Sequence, residues 1–109
     1  MIPLIEANRS AIVDLCKQHG VRKLALFGSA AKGTFDPKTS DLDFVLEFSD
    51  YGSGVGQRFM SFALDMEDLL GRPVDLLFES VIKDPDLRFE VLETQELVYD
   101  EATSVEAVA

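Results

Sequence analysis

The run Ser40-Asp41-Leu42-Asp43-Phe44-Val45-Leu46 constrains this chain more than any other stretch. Its alternation predicts a β-strand over residues 41–48, and residues two apart in a strand face the same way. Asp41 and Asp43 therefore project together, while Leu42, Phe44 and Leu46 face the opposite side. Val45 shares the carboxylate face, so that face turns apolar a little further along. Two carboxylates at the rim of an apolar sheet repel and are costly to desolvate unless a cation lies between them. Mg²⁺ suits such a place: it takes oxygen ligands, keeps waters and is commonly shared with substrate phosphates.

Two further segments bear on the same point. Residues 22–27 read as a short buried strand that ends at Gly28-Ser29. A glycine at a strand end lets a ligand approach the backbone, and the amides and hydroxyl that follow can donate to phosphate oxygens. A helical turn at 29–33 would add a favourable dipole, and Lys32 and Lys38 are cations within reach of a triphosphate. Asp75 then interrupts the apolar run 74–79, a third predicted strand. Placed beside the second strand it adds a third carboxylate, enough to hold two metal ions in a phosphoryl-transfer site. Taken singly, each piece has a plain structural explanation. Gly28-Ser29 can be a turn, Asp-Leu-Asp an edge strand alternating toward water, and Asp75 a cap or an ion pair with Arg72. The combination favours metal and phosphate binding.

The rest of the chain reads as the scaffold for these strands. Residues 4–19 form a predicted helix with Ile5, Ile12 and Cys16 on one face, Leu15 beside it, and Gly20 as the stop. Val55, Phe59, Phe62, Ala63, Met66, Leu69 and Leu70 recur at helical spacing before Gly71-Arg72-Pro73. Asp84-Pro85 reads as an N-cap with proline at the first helical position, opening a short helix to residue 94 with Leu87, Val91 and Leu92 in the core. A last strand follows at 97–99. The order helix, strand, strand, helix, strand, helix, strand predicts an α/β domain with a small mixed sheet over residues 1–100, and a loose tail at 101–109.

At 109 residues, 47% of them hydrophobic, the chain has the size and composition of one globular domain. A single cysteine, Cys16, excludes an intrachain disulfide framework. No signal-peptide pattern opens the sequence and nothing approaches the roughly 20 apolar residues of a membrane span, so a cytoplasmic location is expected. The net charge of -10 opposes binding to a nucleic acid backbone. Residues 79–109 alone hold nine acids and two bases, a solvated face or a surface for a basic partner.

A strand ending in Gly28-Ser29, a spacer, then Asp41-x-Asp43 on the next strand resembles the polymerase-β-like nucleotidyltransferase superfamily, with Asp75 matching its third-strand aspartate. The likeness runs from residue 21 to 99, and the small size is similar to the minimal nucleotidyltransferases, antitoxin partners of HEPN-domain toxins. The spacer at residues 30–40 is one residue longer than usual. Ala30 stands where members often have arginine, with Lys32 two positions on. The resemblance implies that Gly28, Ser29 and Lys32 hold the nucleotide. It implies that Asp41, Asp43 and Asp75 are metal ligands and catalytic residues, and that Mg²⁺ assists attack of a hydroxyl on the α-phosphate of ATP. The implied acceptor is a tyrosine of a cognate HEPN toxin, with no direct nucleic acid binding and no membrane.

Two other classes compete. A nucleotidyltransferase fold that neutralises its partner by masking would not require the three carboxylates. A phospho-accepting receiver domain expects an acidic pair at the end of the first strand and a lysine on a late one, and neither is present. His19 reads as a helix-terminal cation, Cys16 as core, Phe59 and Phe62 as core, and Tyr51 as a surface residue of a glycine-rich loop.

Overall fold

The computed structural model describes residues 1–28, 31 and 41–102. Helix α1 (Pro3–His19) leads through Gly20 into strand β1 (Val21–Phe27). Strand β2 (Leu42–Phe48) and helix α2 (Val55–Leu70) follow. Strand β3 (Val74–Phe78) continues into a 3-10 turn (Glu79–Val81), and helix α3 (Pro85–Thr94) precedes strand β4 (Glu96–Asp100). The predicted order and the mixed sheet are both present. Several boundaries differ by a residue, and two of these bear on the site: β2 begins at Leu42, leaving Asp41 at its entry, and Glu79 opens the 3-10 turn instead of closing β3.

The four strands lie in the order β3-β2-β1-β4. β1 pairs antiparallel with β2 and with β4, while β2 and β3 are parallel, joined by the crossover through α2. Cross-strand partners occupy one face, so the register sorts the sheet into rows. Leu24, Leu46 and Phe78 form one row, and Leu26, Phe44 and Leu76 another. These rows pack with Ile5, Ile12 and Cys16 of α1 and Phe62, Met66 and Leu70 of α2 in the main core. The opposite face carries Ala25 and Val45 in one row and Phe27 in the next, and packs with Ile82 and with Val91 of α3. The periodicity of each helix decides which of its own sides meets the sheet.

The short helix is built as its sequence predicts at the start. The Asp84 side chain accepts from the Asp86 amide at 3.0 Å, and Pro85 occupies the first turn. Val91 is buried and Leu87 half-buried, but Leu92 is 55% exposed. The expected core place of Leu92 is therefore corrected: one step of 100° beyond Val91 turns it off the sheet. A single-layer helix has room for one narrow apolar stripe.

His19 ends α1 beside α2, with its Nε2 2.7 Å from Asp65 Oδ2, a structural pairing of the two helices. Cys16 is fully buried, and burial pushes its thiol up to about 12. Tyr51 is exposed, as expected, yet its hydroxyl donates to Glu47, the buried charged residue of β2. Glu47 also accepts from the Ser80 amide at 2.6 Å. The loop before α2 and the turn after β3 are thereby tied to one carboxylate of β2. No helix among the described residues is long and apolar enough to cross a membrane.

Candidate active site

The site is the end of the sheet where β1 leaves and β2 and β3 enter. Phe27 of β1 stands opposite Asp43 of β2, and Asp43 stands opposite Asp75 of β3. This row belongs to the face that α3 partly covers, because it lies two residues along each strand from the row of Ala25, Val45 and Leu77. The register thus places two carboxylates in adjacent strands on one face, beside the core residue Phe27 at the rim of the sheet. Asp41 and Asp75 are exposed and Asp43 is half-buried.

Gly28 fits closely against this row. Its backbone has φ +74, and a Cβ built there would lie 2.5 Å from Asp43 Oδ2 and 3.3 Å from its Cγ. A side chain would thus meet both a strained backbone and the carboxylate. The glycine gives Asp43 room to lie across the end of β1.

The electrostatics follow from the crowding. Burial raises the Asp43 carboxyl to about 6 from its ordinary 3.8. The charge of Asp75, a side-chain hydrogen bond with it, and the charges of Asp41 and Glu90 push in the same direction. Glu90 lies on α3 and was missed by the sequence reading. Its only local signal is its place beside Val91, which seats the helix on this face.

Gly28, Asp43 and Asp75 are brought together, with Asp41 at the entry of β2 and Glu90 approaching from α3. Ser29, Lys32 and Lys38, the helical turn expected at 29–33 apart from Ala31, which is helical, and the enlarged turn at 34–38 lie outside the described residues, as does the tail from 103. Among the described residues no group of three or more His, Cys, Asp or Glu side chains is drawn tightly enough to enclose a metal ion. The donor chemistry nonetheless fits a hard cation. The donors are carboxylate oxygens, open on the solvent side, and the half-buried one has its pKa raised by burial and then by like charge that a cation would neutralise.

A mixed sheet with a glycine at the end of β1 and facing aspartates on β2 and β3 defines the polymerase-β-like nucleotidyltransferase class. The family model described as nucleotidyltransferase domain matches residues 9–98, and the chain belongs to that family. A Methanocaldococcus jannaschii protein named a candidate protein adenylyltransferase is 33% identical over 98 residues, covering 83% of this chain and 95% of its own. A solved structure of a candidate minimal nucleotidyltransferase superposes with a TM-score of 0.70 at 33% identity, covering 84% of this chain and 90% of that one. A chain from the complex of tri-AMPylated Shewanella oneidensis HEPN toxin with MNT antitoxin has the same fold, with a TM-score of 0.62 at 17% identity, covering 94% and 77%.

Proposed function

We propose that this protein is an antitoxin-type adenylyltransferase that moves AMP from ATP to a tyrosine hydroxyl of a cognate HEPN-type toxin. The observation that carries the reading is the facing of Asp43 and Asp75 across the β2–β3 ladder, with the backbone of Gly28 packed closely against the Asp43 carboxylate. Membership of the nucleotidyltransferase family supports the reaction class, and the named relatives support a protein as acceptor.

In this reading Asp41, Asp43 and Asp75 hold Mg²⁺, which when bound neutralises phosphate charge and lowers the pKa of the attacking hydroxyl. Gly28, Ser29 and Lys32 receive the triphosphate. Asp75, on the exposed side of the pair, accepts the proton of the tyrosine hydroxyl. The tyrosine oxygen forms a bond to the α-phosphorus, the bond from that phosphorus to the bridging oxygen of the β-phosphate breaks, and pyrophosphate leaves. Asp43, backed by the apolar row behind it, supplies a carboxylate whose desolvation is tolerable only opposite a cation. The acceptor's charge is limited by the chain's own: -10 overall favours a protein over a nucleic acid.

Co-expression with the product of the adjacent gene tests this. The partner's intact mass should rise by whole adenylyl units with the wild type and stay unmodified with an Asp41→Asn/Asp43→Asn variant. An unmodified partner that co-purifies equally with both versions would overturn transfer and leave neutralisation by masking.

A further inference from the structure

Helix α3 shows a face that the sheet does not use. Val91 and Leu87 seat it against the sheet. At 100° per residue, Phe89 and Leu92 stand on the opposite side, three residues apart and adjacent on the surface. They are 66% and 55% exposed. Continuing round the helix from Phe89, Asp86 and Glu93 come next, and then Glu90, whose charge reaches Asp43. The single cation of the helix, Arg88, turns back to the Ile82 carbonyl at 3.5 Å. Residues 84–96 carry five acids and one base.

An apolar ridge with an acidic flank leading toward the reactive edge differs from the other exposed apolar pair. Met60 and Leu64 lie on α2, which packs against the opposite face of the sheet from Asp43. Of these two pairs, the ridge on α3 is the one that shares a face with the carboxylates.

We propose that Phe89 and Leu92, flanked by Asp86 and Glu93, are the docking ridge for the acceptor protein, which receives them in an apolar groove bordered by lysine and arginine. The proposal rests on the transferase reading, since it is the acceptor that must be held beside Asp43. Charge selects the occupant. A second copy would bring the same acidic flank and a net -10 against itself, and a nucleic acid would bring phosphates. A basic protein surface is attracted, and two adjacent apolar side chains give it a desolvated anchor.

The test uses the full chain co-expressed with the product of the adjacent gene. Because both residues are exposed, Phe89→Ser/Leu92→Ser should melt with the wild type and keep its ATP-induced thermal shift. It should lose co-purification and modify the partner at least about tenfold less. Asp86→Lys/Glu93→Lys should weaken capture at low salt, with the difference shrinking at high salt. Asp41→Asn/Asp43→Asn should capture the partner fully and leave it unmodified. If the wild type captures an unmodified partner and the serine variant captures none, the ridge stands while transfer fails. Full capture and modification by the serine variant overturns the ridge. So does a dimer of the chain alone, seen by light scattering, that the serine variant abolishes.

Discussion

Asp43 and Asp75 are direct partners in the parallel ladder between β2 and β3, two carboxylates on adjacent strands of the face that carries α3. Sheet neighbours in that position lie about 5 Å apart, close enough for each charge to be felt by the other. Without a cation the pair opposes its own ionisation, and several measurable properties follow.

Asp43 titrates near 6 in the folded chain against an ordinary value of 3.8. The folded state therefore binds this proton more tightly than the unfolded state. The resulting stability is fully present below about pH 4 and is lost as pH rises through 6. Asp43→Asn should make the metal-free protein more stable than wild type at pH 7.5, by about 1 kcal/mol after allowance for solvent screening. The advantage should vanish at pH 4. Thermal melts of both proteins at the two values, in chelator, check it. Mg²⁺ should raise the wild-type melting temperature at pH 7.5 and leave the variant unmoved.

Gly28→Ala should damage the site more than the fold. The added Cβ meets Asp43 Oδ2 at 2.5 Å on a backbone of φ +74, so both the turn and the carboxylate must shift. A loss of about 1–2 kcal/mol in stability is expected from the backbone alone. Adenylyl transfer should fall by about a hundredfold or more, since displacing a reacting group by an ångström has that scale. Initial rates measured well below the variant's melting temperature separate the two effects.

Glu47 is a structural carboxylate, and its removal should be felt at a distance from the chemistry. It accepts from the Tyr51 hydroxyl and from the Ser80 amide. Burial, reinforced by the hydrogen bond to Glu47, holds the Tyr51 hydroxyl above its ordinary pKa. Glu47→Ala should cost about 2–3 kcal/mol in urea denaturation by leaving these donors unpaired, and Tyr51→Phe about 1 kcal/mol. A Glu47→Ala loss no larger than that of Tyr51→Phe would show that the Ser80 contact contributes nothing.

Cys16 is closed off on the buried face of α1, its thiol pushed up to about 12 by burial. A disulfide reagent at pH 8 should label it only as fast as the chain unfolds, with rapid labelling in denaturant. The raised value adds stability that is complete below about pH 9 and lost as pH rises toward 12. Rapid native labelling would mean that α1 opens locally.

Much of the fold was legible because it is written locally. The spacing of Ile5, Ile12 and Cys16 marks α1, and that of Phe62, Met66 and Leu70 marks α2. Asp84-Pro85 marks the start of α3 through a cap that needs only the next two residues. Leu92 was misplaced because a ten-residue helix gives too few turns for its apolar stripe to be phased. Glu90 was not legible as part of the site, since its relation to Asp43 crosses from a helix to a strand far away in sequence.

The sequence by itself determined that Asp43 projects away from Leu42, Phe44 and Leu46, and that Asp75 interrupts an apolar strand. Strand periodicity is a property of the backbone and needs no neighbour. The tertiary structure decided that β3 pairs parallel with β2 in the register that sets Asp75 opposite Asp43. It also decided that Gly28 closes on that carboxylate, and that α3 lies over the same face with Glu90 toward the pair and Phe89 toward solvent. Those relations depend on which apolar surfaces cover which, a choice made by burial of the whole chain and not by any one segment.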